Sequence, residues 1–199
     1  MNFKRLNAAI MLGFIITFTI SWIGGFMSTC SDIRENVLRI HIIANSDSEA
    51  DQQLKINVRD AVLAQCPELF SGEENIQAAK AVAAENLEKL EQAAKEQLQK
   101  EGKDYTVKAE LTNMYFETRE YESFTMPAGR YDAVRLVIGE GKGKNWWCVM
   151  FPSLCVPAAD NGMNHFSKQQ QELLESTPKF EPRFAVVEWW ESRIVKSEE

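Results

Sequence analysis

Apolar and polar positions divide the chain near residue 31. Lys4 and Arg5 are followed by 26 consecutive uncharged residues, Leu6 to Ser31, most of them apolar and lacking the polar face of an amphipathic helix. The run exceeds the roughly 20 residues that cross a hydrocarbon layer of about 30 Å at 1.5 Å per residue. With cations before it and Asp32 and Glu35 after it, the pattern predicts an N-terminus inside and a body outside. Two outcomes stay open: a signal peptide that is removed, or an anchor associated with the membrane through residues 8–27. Small residues suited to cleavage occur at Ile23-Gly24-Gly25 and at Thr29-Cys30-Ser31, but neither is a clean Ala-x-Ala. A lipid-modified Cys30 is a third option, against which Thr29 is bulky for the preceding position.

Beyond the export segment the periods alternate between strand and helix. Val37 to Ala44 places Leu38, Ile40 and Ile42 on one face and Arg39 and His41 on the other, the period of a strand with one wet side. Asn45 to Glu49 carries capping side chains, with Ser46 and Glu49 spaced as a capping box. Leu54, Val58, Ala61, Val62 and Gln65 then recur at helical spacing until Pro67. A long helix is expected from about Glu73 to Lys100, with Ile76, Ala83, Leu87, Leu90, Ala94 and Leu98 on one stripe. Its solvated face offers Glu85–Lys89, Glu91–Lys95 and Glu96–Lys100 as i,i+4 pairs.

From Lys103 onward the pattern turns to period two. Tyr105, Val107, Ala109 and Leu111 alternate, as do Val134, Leu136 and Ile138, and a Gly139–Lys144 link leads into Asn145–Phe151. Three or four antiparallel strands joined by hairpins fit this, with a glycine-rich hairpin turn at the link. His165 to Leu174 reads as a short helix, and Phe180 to Trp190 is compatible with strand or helix. Without an internal repeat or low-complexity linker, the chain is expected to be an export segment, 1–31, and one α+β domain, 32–199, with a small antiparallel sheet and two to three helices.

Charge and cysteine usage narrow the function classes. The chain carries 22 basic and 29 acidic side chains, net −7. Both cations of residues 1–31 leave with that segment, so the body stands at −9, and a nucleic-acid partner, which needs clustered Lys and Arg, is excluded. Cys30 lies in the export segment and Cys66 in a helical stretch, leaving Cys148 and Cys155 either side of Phe151-Pro152-Ser153-Leu154. A bridge there would stabilise by roughly 2.5 kcal/mol in the chain-entropy model, and two small buried hydrophobes are the alternative. Neither that spacing nor two histidines 124 positions apart forms a zinc pattern, so no metal or cofactor is implied.

Candidate catalytic motifs fail on spacing. Gly139, Gly141 and Gly143 enclose too few residues for a phosphate loop, and Lys144 is followed by Asn145 where a hydroxyl is needed. Asp47, Glu49 and Asp51 mimic a calcium loop, but Ala50 and Ile56 occupy its glycine and its bidentate position. They are better explained as acids at a helix start. His41 could act as a base, although a strand histidine on a polar face is ordinarily a surface residue. Trp146 and Trp147 must point to opposite faces of a strand, so one indole is presented outward unless something covers the second face.

The stretch VLRIHIIANSDSEADQQLKINVRDAVL, residues 37–63, and PAGRYDAVRLVIGEGKGKNWWCVMFPSLCV, residues 127–156, resemble the stage II sporulation protein R family of endospore-forming bacteria. That resemblance implies a signalling protein rather than an enzyme. It would be made in the forespore and exported into the space between the two septal membranes, released or held on the outer face of the forespore membrane. There it would be required to activate a membrane-embedded aspartic protease of the mother cell, which removes the pro-sequence of the first mother-cell sporulation sigma factor. His41, Asn45 and Asp47, with Trp146 or Trp147, are the expected partner contacts. The rival from another class is an exported hydrolase or binding protein for cell-wall or small anionic material, using His41 with a nearby carboxylate and Lys142 and Lys144.

Overall fold

The computed structural model describes residues 3–70, 74–154, 162–175, 185–191 and 193. The chain divides into two compact units, the first drawn from Met1–Arg34, Glu117–Gly129 and Lys168–Glu199 and the second from Glu35–Phe116 and Arg130–Ser167.

In the second unit, helices α2 (Glu49–Gln65), α3 (Ile76–Glu85) and α4 (Leu87–Lys100) accompany the strands β1 (Leu38–Ile43), β2 (Val107–Phe116), β5 (Gly129–Ile138) and β6 (Asn145–Phe151). The α+β class is as expected. The sheet, however, is mixed: its order is β2-β5-β1-β6, with β1 parallel to β5 and antiparallel to β6. A parallel pair cannot be joined by a tight turn, and the helices and β2 supply the long crossover between β1 and β5. Because β1 lies between β5 and β6, the Gly139–Lys144 link closes no hairpin. It arches over the C-terminal end of β1, across two inter-strand spacings of about 4.8 Å each.

One sheet face forms the core. Leu38, Ile40 and Ile42 of β1 pack with Val134, Leu136 and Ile138 of β5 against Leu54, Val58 and Val62 of α2 and Leu90, Ala94 and Leu98 of α4. The predicted long helix is two helices. Asn86 ends α3 and precedes α4, its side chain donating to the Val82 carbonyl at 2.8 Å, a local alternative to the helical ladder that Asn favours. Of the expected surface pairs Glu91–Lys95 forms, while Lys89 pairs with Glu68 and Glu96 accepts from Gln92. Near the end of the chain the helix α5 (Lys168–Glu175) forms, and residues 185–191 are helical.

The first unit contains α1 (Phe3–Glu35), the two-stranded antiparallel pair β3 (Arg119–Glu120) and β4 (Thr125–Met126), and α5. α1 is long and apolar enough to cross a membrane.

Candidate functional site

Two structures meet at the end of β1: a pinned loop pair and an aromatic cluster on the second face of the sheet. The loop pair begins with Asn45. Its Nδ2 donates to Asp51 Oδ2 at 2.8 Å, while its Oδ1 accepts from the Glu140 backbone N–H at 3.0 Å. Asp47 Oδ1 accepts from the Lys144 N–H at 2.7 Å, and the Lys142 and Gly143 N–H groups donate to the Asn45 and Ala44 carbonyls. The arch is therefore held along its length by β1 and the turn into α2. A Cβ on Gly143 would clash with the Ser46 backbone carbonyl, and one on Gly139, where φ is +58°, would clash with the Asn45 amide. Glycine is needed at both for close approach of the two loops.

α2 reinforces this junction with polar groups that its own buried stripe carries. The cap is Ser48, whose Oγ accepts from the Asp51 N–H at 3.2 Å, so the capping residue lies two positions beyond the predicted Ser46. Ser46 instead donates to Asp51, which also accepts from the Tyr105 hydroxyl at 3.2 Å. Hydrogen bonds from Ser46 and Asn45 hold the Asp51 carboxyl below the ordinary carboxylate range. Lys55, likewise buried, donates at 2.8 Å both to Gln52 Oε1 and to the Lys144 carbonyl; burial pushes its amine below its usual pKa. The sequence marks Asp51 only as an acid at a helix start and does not single out Gln52 or Lys55. The available signal was the i, i+4, i+7, i+11 series Asp51, Lys55, Val58, Val62, which places two charges on an otherwise apolar stripe.

The second sheet face is not wet. Arg39 is fully buried and His41 is 3% exposed, which corrects the expectation of a polar outer face on β1. Aromatic rings make burial possible: the Arg39 guanidinium lies 4.0 Å from the Phe116 centroid and 5.0 Å from that of Tyr131. A delocalised, weakly hydrated guanidinium tolerates such walls better than an ammonium would. His41 stacks on Trp147 with centroids 3.8 Å apart and rings 10° from parallel, and Phe116 closes the cluster edge-on to Trp147 at 4.7 Å. Burial, more than the neighbouring Arg135, Arg39 and Lys55 charges, pushes the His41 pKa down from 6.5 to about 4. The Asn145 side chain opposes this, yet neither ring nitrogen makes a hydrogen bond of normal geometry. Phe116 and Tyr131 carried no sequence signal beyond strand parity.

The tryptophans divide between the faces as their adjacency requires. Trp146 packs against the helical core beneath the Arg59 guanidinium, 5.4 Å from its centroid, and Trp147 lies on the His41 face. Both indoles are half-buried, Asn145, Lys142 and Lys144 are exposed, and β6 is an edge strand. Among the predicted site residues, the structure thus places Asn45 and Asp47 on the arch, His41 under Trp147, and the two tryptophans on either side of the β6 edge. Cys148 is buried and disulfide-bonded, and Cys155 lies outside the described residues. Cys66 is a buried free thiol.

A family model described as stage II sporulation protein R matches residues 34–161. The chain is also similar to the stage II sporulation protein R of Bacillus subtilis (strain 168), with 36% identity over 147 residues, 74% of this chain and 64% of that relative. The matched part therefore spans less than two thirds of the relative's length. No solved structure matches.

Proposed function

The chain belongs to the stage II sporulation protein R family, and from that membership we propose that it is an intercellular signal exported from the forespore, acting on the mother cell's membrane-embedded aspartic protease by direct contact. The observation that carries this reading is the match over residues 34–161, which holds every strand of the four-stranded sheet, the arch and both tryptophans. The N-terminal apolar helix supports passage to or across a membrane. Contact would shift the protease toward its active state by binding that state more tightly than the inactive one.

The contacting groups on this reading are the half-buried indoles of Trp146 and Trp147 and the exposed side chains of Lys142 and Lys144. His41, Asn45 and Asp47 act behind them, the first as the stacking surface for Trp147 and the other two as anchors of the arch. A half-exposed indole with one satisfied face suits a contact surface, since aromatic anchors dominate interface energetics. The hydrolase alternative draws no support from His41, a buried ring whose charged neighbours, Arg135, Arg39 and Lys55, are all cationic. A general base at neutral pH needs a pKa nearer the working range and access to substrate.

Deletion of the gene tests the proposal: the sigma-factor precursor should persist uncleaved through sporulation and be processed again on complementation. Normal processing in the deletion strain would overturn it.

A further inference from the structure

α1 changes character along its length. Its described side chains from Phe3 to Trp22 are all exposed, whereas Phe26, Cys30 and Ile33, at spacings of four and three, are buried on one helical face. The same stretch is tied to the rest of its unit by polar contacts. Arg34 pairs with Glu191 at 3.0 Å and donates to the Ala128 carbonyl at 3.2 Å, and Gln169 of α5 donates to the Thr29 hydroxyl at 3.3 Å. A groove runs across the Gly25 position, with Ser21, Trp22, Phe26 and Thr29 on α1 facing Gln169 and Leu173 on α5.

We infer that α1 is a retained anchor whose last third is a core helix of the folded unit, so the protein works tethered to the membrane it crosses. Removal after Ser31 would strip Phe26 and Cys30 from the core. Removal after Gly25 would cut α1 where α5 faces it on both sides of the break. At either position the backbone is continuous helix, and Thr29 Oγ1 bonds back to the Gly25 carbonyl at 3.0 Å. The uncharged part of the exposed stretch, Leu6 to Trp22, is 17 residues, about 26 Å at 1.5 Å per residue, close to one hydrocarbon thickness, with Lys4 and Arg5 at its inner end. The first buried side chain, Phe26, lies only four positions, about 6 Å of helix, beyond Trp22. The folded unit therefore starts at the lipid surface without a linker, and a partner must come to that surface. The inference takes membrane insertion from the reading above and adds tethering; it does not depend on protease activation.

The test is fractionation and intact mass of the full chain recovered from producing cells. The expected result is the complete chain, with residues 1–31 present, in the membrane fraction and resistant to a high-salt wash. A soluble product beginning at Phe26 or Asp32 would overturn the inference. A second arm asks whether residues 26–33 are core: in the full-length membrane protein, Phe26→Asp should speed proteolysis within the unit that holds α1 and α5 at least roughly tenfold, because a buried charge opens that unit. Ser28→Asp, at an exposed position of the same turn, should leave the rate unchanged. Equal rates for the two variants would show a helix that merely leads into the fold. Protease added outside protoplasts separates the two readings: a shielded body contradicts export, while the mass still decides retention.

Discussion

Acidification offers a direct probe of the buried His41 ring. The ring is 3% exposed, stacked on Trp147 and surrounded by cations, and its pKa falls from 6.5 to about 4 on folding. The unfolded chain therefore takes up a proton near pH 6.5 that the folded chain refuses until about pH 4. The stability this group contributes is complete above the unfolded pKa and is lost as pH falls toward the folded one. With 6.5 and about 4 as limits, linkage removes about 2 kcal/mol between about pH 6.5 and about pH 4.5. Carboxylates held low, such as Asp51, lose their contribution further down the scale and do so equally in variants that leave them intact. His41→Phe keeps a flat ring against Trp147 and removes the titration. Urea unfolding of the full chain in non-ionic micelles, followed across this range, should show a falling midpoint for the wild type and a flatter line for the variant. Parallel lines for the two proteins would refute the assignment of the loss to His41.

Three further substitutions test other parts of the account. Gly143→Ala drives a methyl group into the Ser46 backbone carbonyl and should destabilise by about 1–3 kcal/mol, measured by urea midpoint. Lys55→Met keeps the side-chain volume but leaves the Lys144 carbonyl and Gln52 Oε1 without their buried donor; the expected loss is about 1–3 kcal/mol, and an unchanged midpoint would mean that water replaces the amine. Arg34→Ala removes a largely buried pair with Glu191 and a bond to the Ala128 carbonyl. It should lower stability by about 2 kcal/mol, with hydrogen exchange rising in α1 beyond Phe26.

Most elements were legible because their burial is one-sided. Leu38, Ile40 and Ile42, or Leu54, Val58 and Val62, announce their period directly. The sheet order was not, since β1's position between β5 and β6 depends on a crossover that no local pattern encodes; a glycine-rich link between two strands looks the same whether it closes a hairpin or arches over a third strand. Arg39 and His41 misled for a related reason. Alternation gives the two faces of a strand but not whether the second is covered, and polar residues normally argue that it is not. Here Phe116 and Tyr131, distant in sequence, supply the aromatic walls that make a buried guanidinium tolerable. Asn45 and Asp47 were visible as loop polar groups with capping ability, yet their use on the arch required the Gly139–Lys144 backbone to be in place.

Reconstitution with purified components tests the central claim most directly. The aspartic protease and the sigma-factor precursor are placed in one set of vesicles, and the full chain is presented from a second membrane. Precursor cleavage should appear only when the chain is added and should fall about tenfold or more for Trp147→Ala combined with Lys142→Glu and Lys144→Glu, the loss of about 1.4 kcal/mol or more of contact energy, in a protein that still folds. Cleavage at the same rate without the chain, or undiminished activity in the folded triple variant, would contradict a signal that acts by contact through this edge of the sheet.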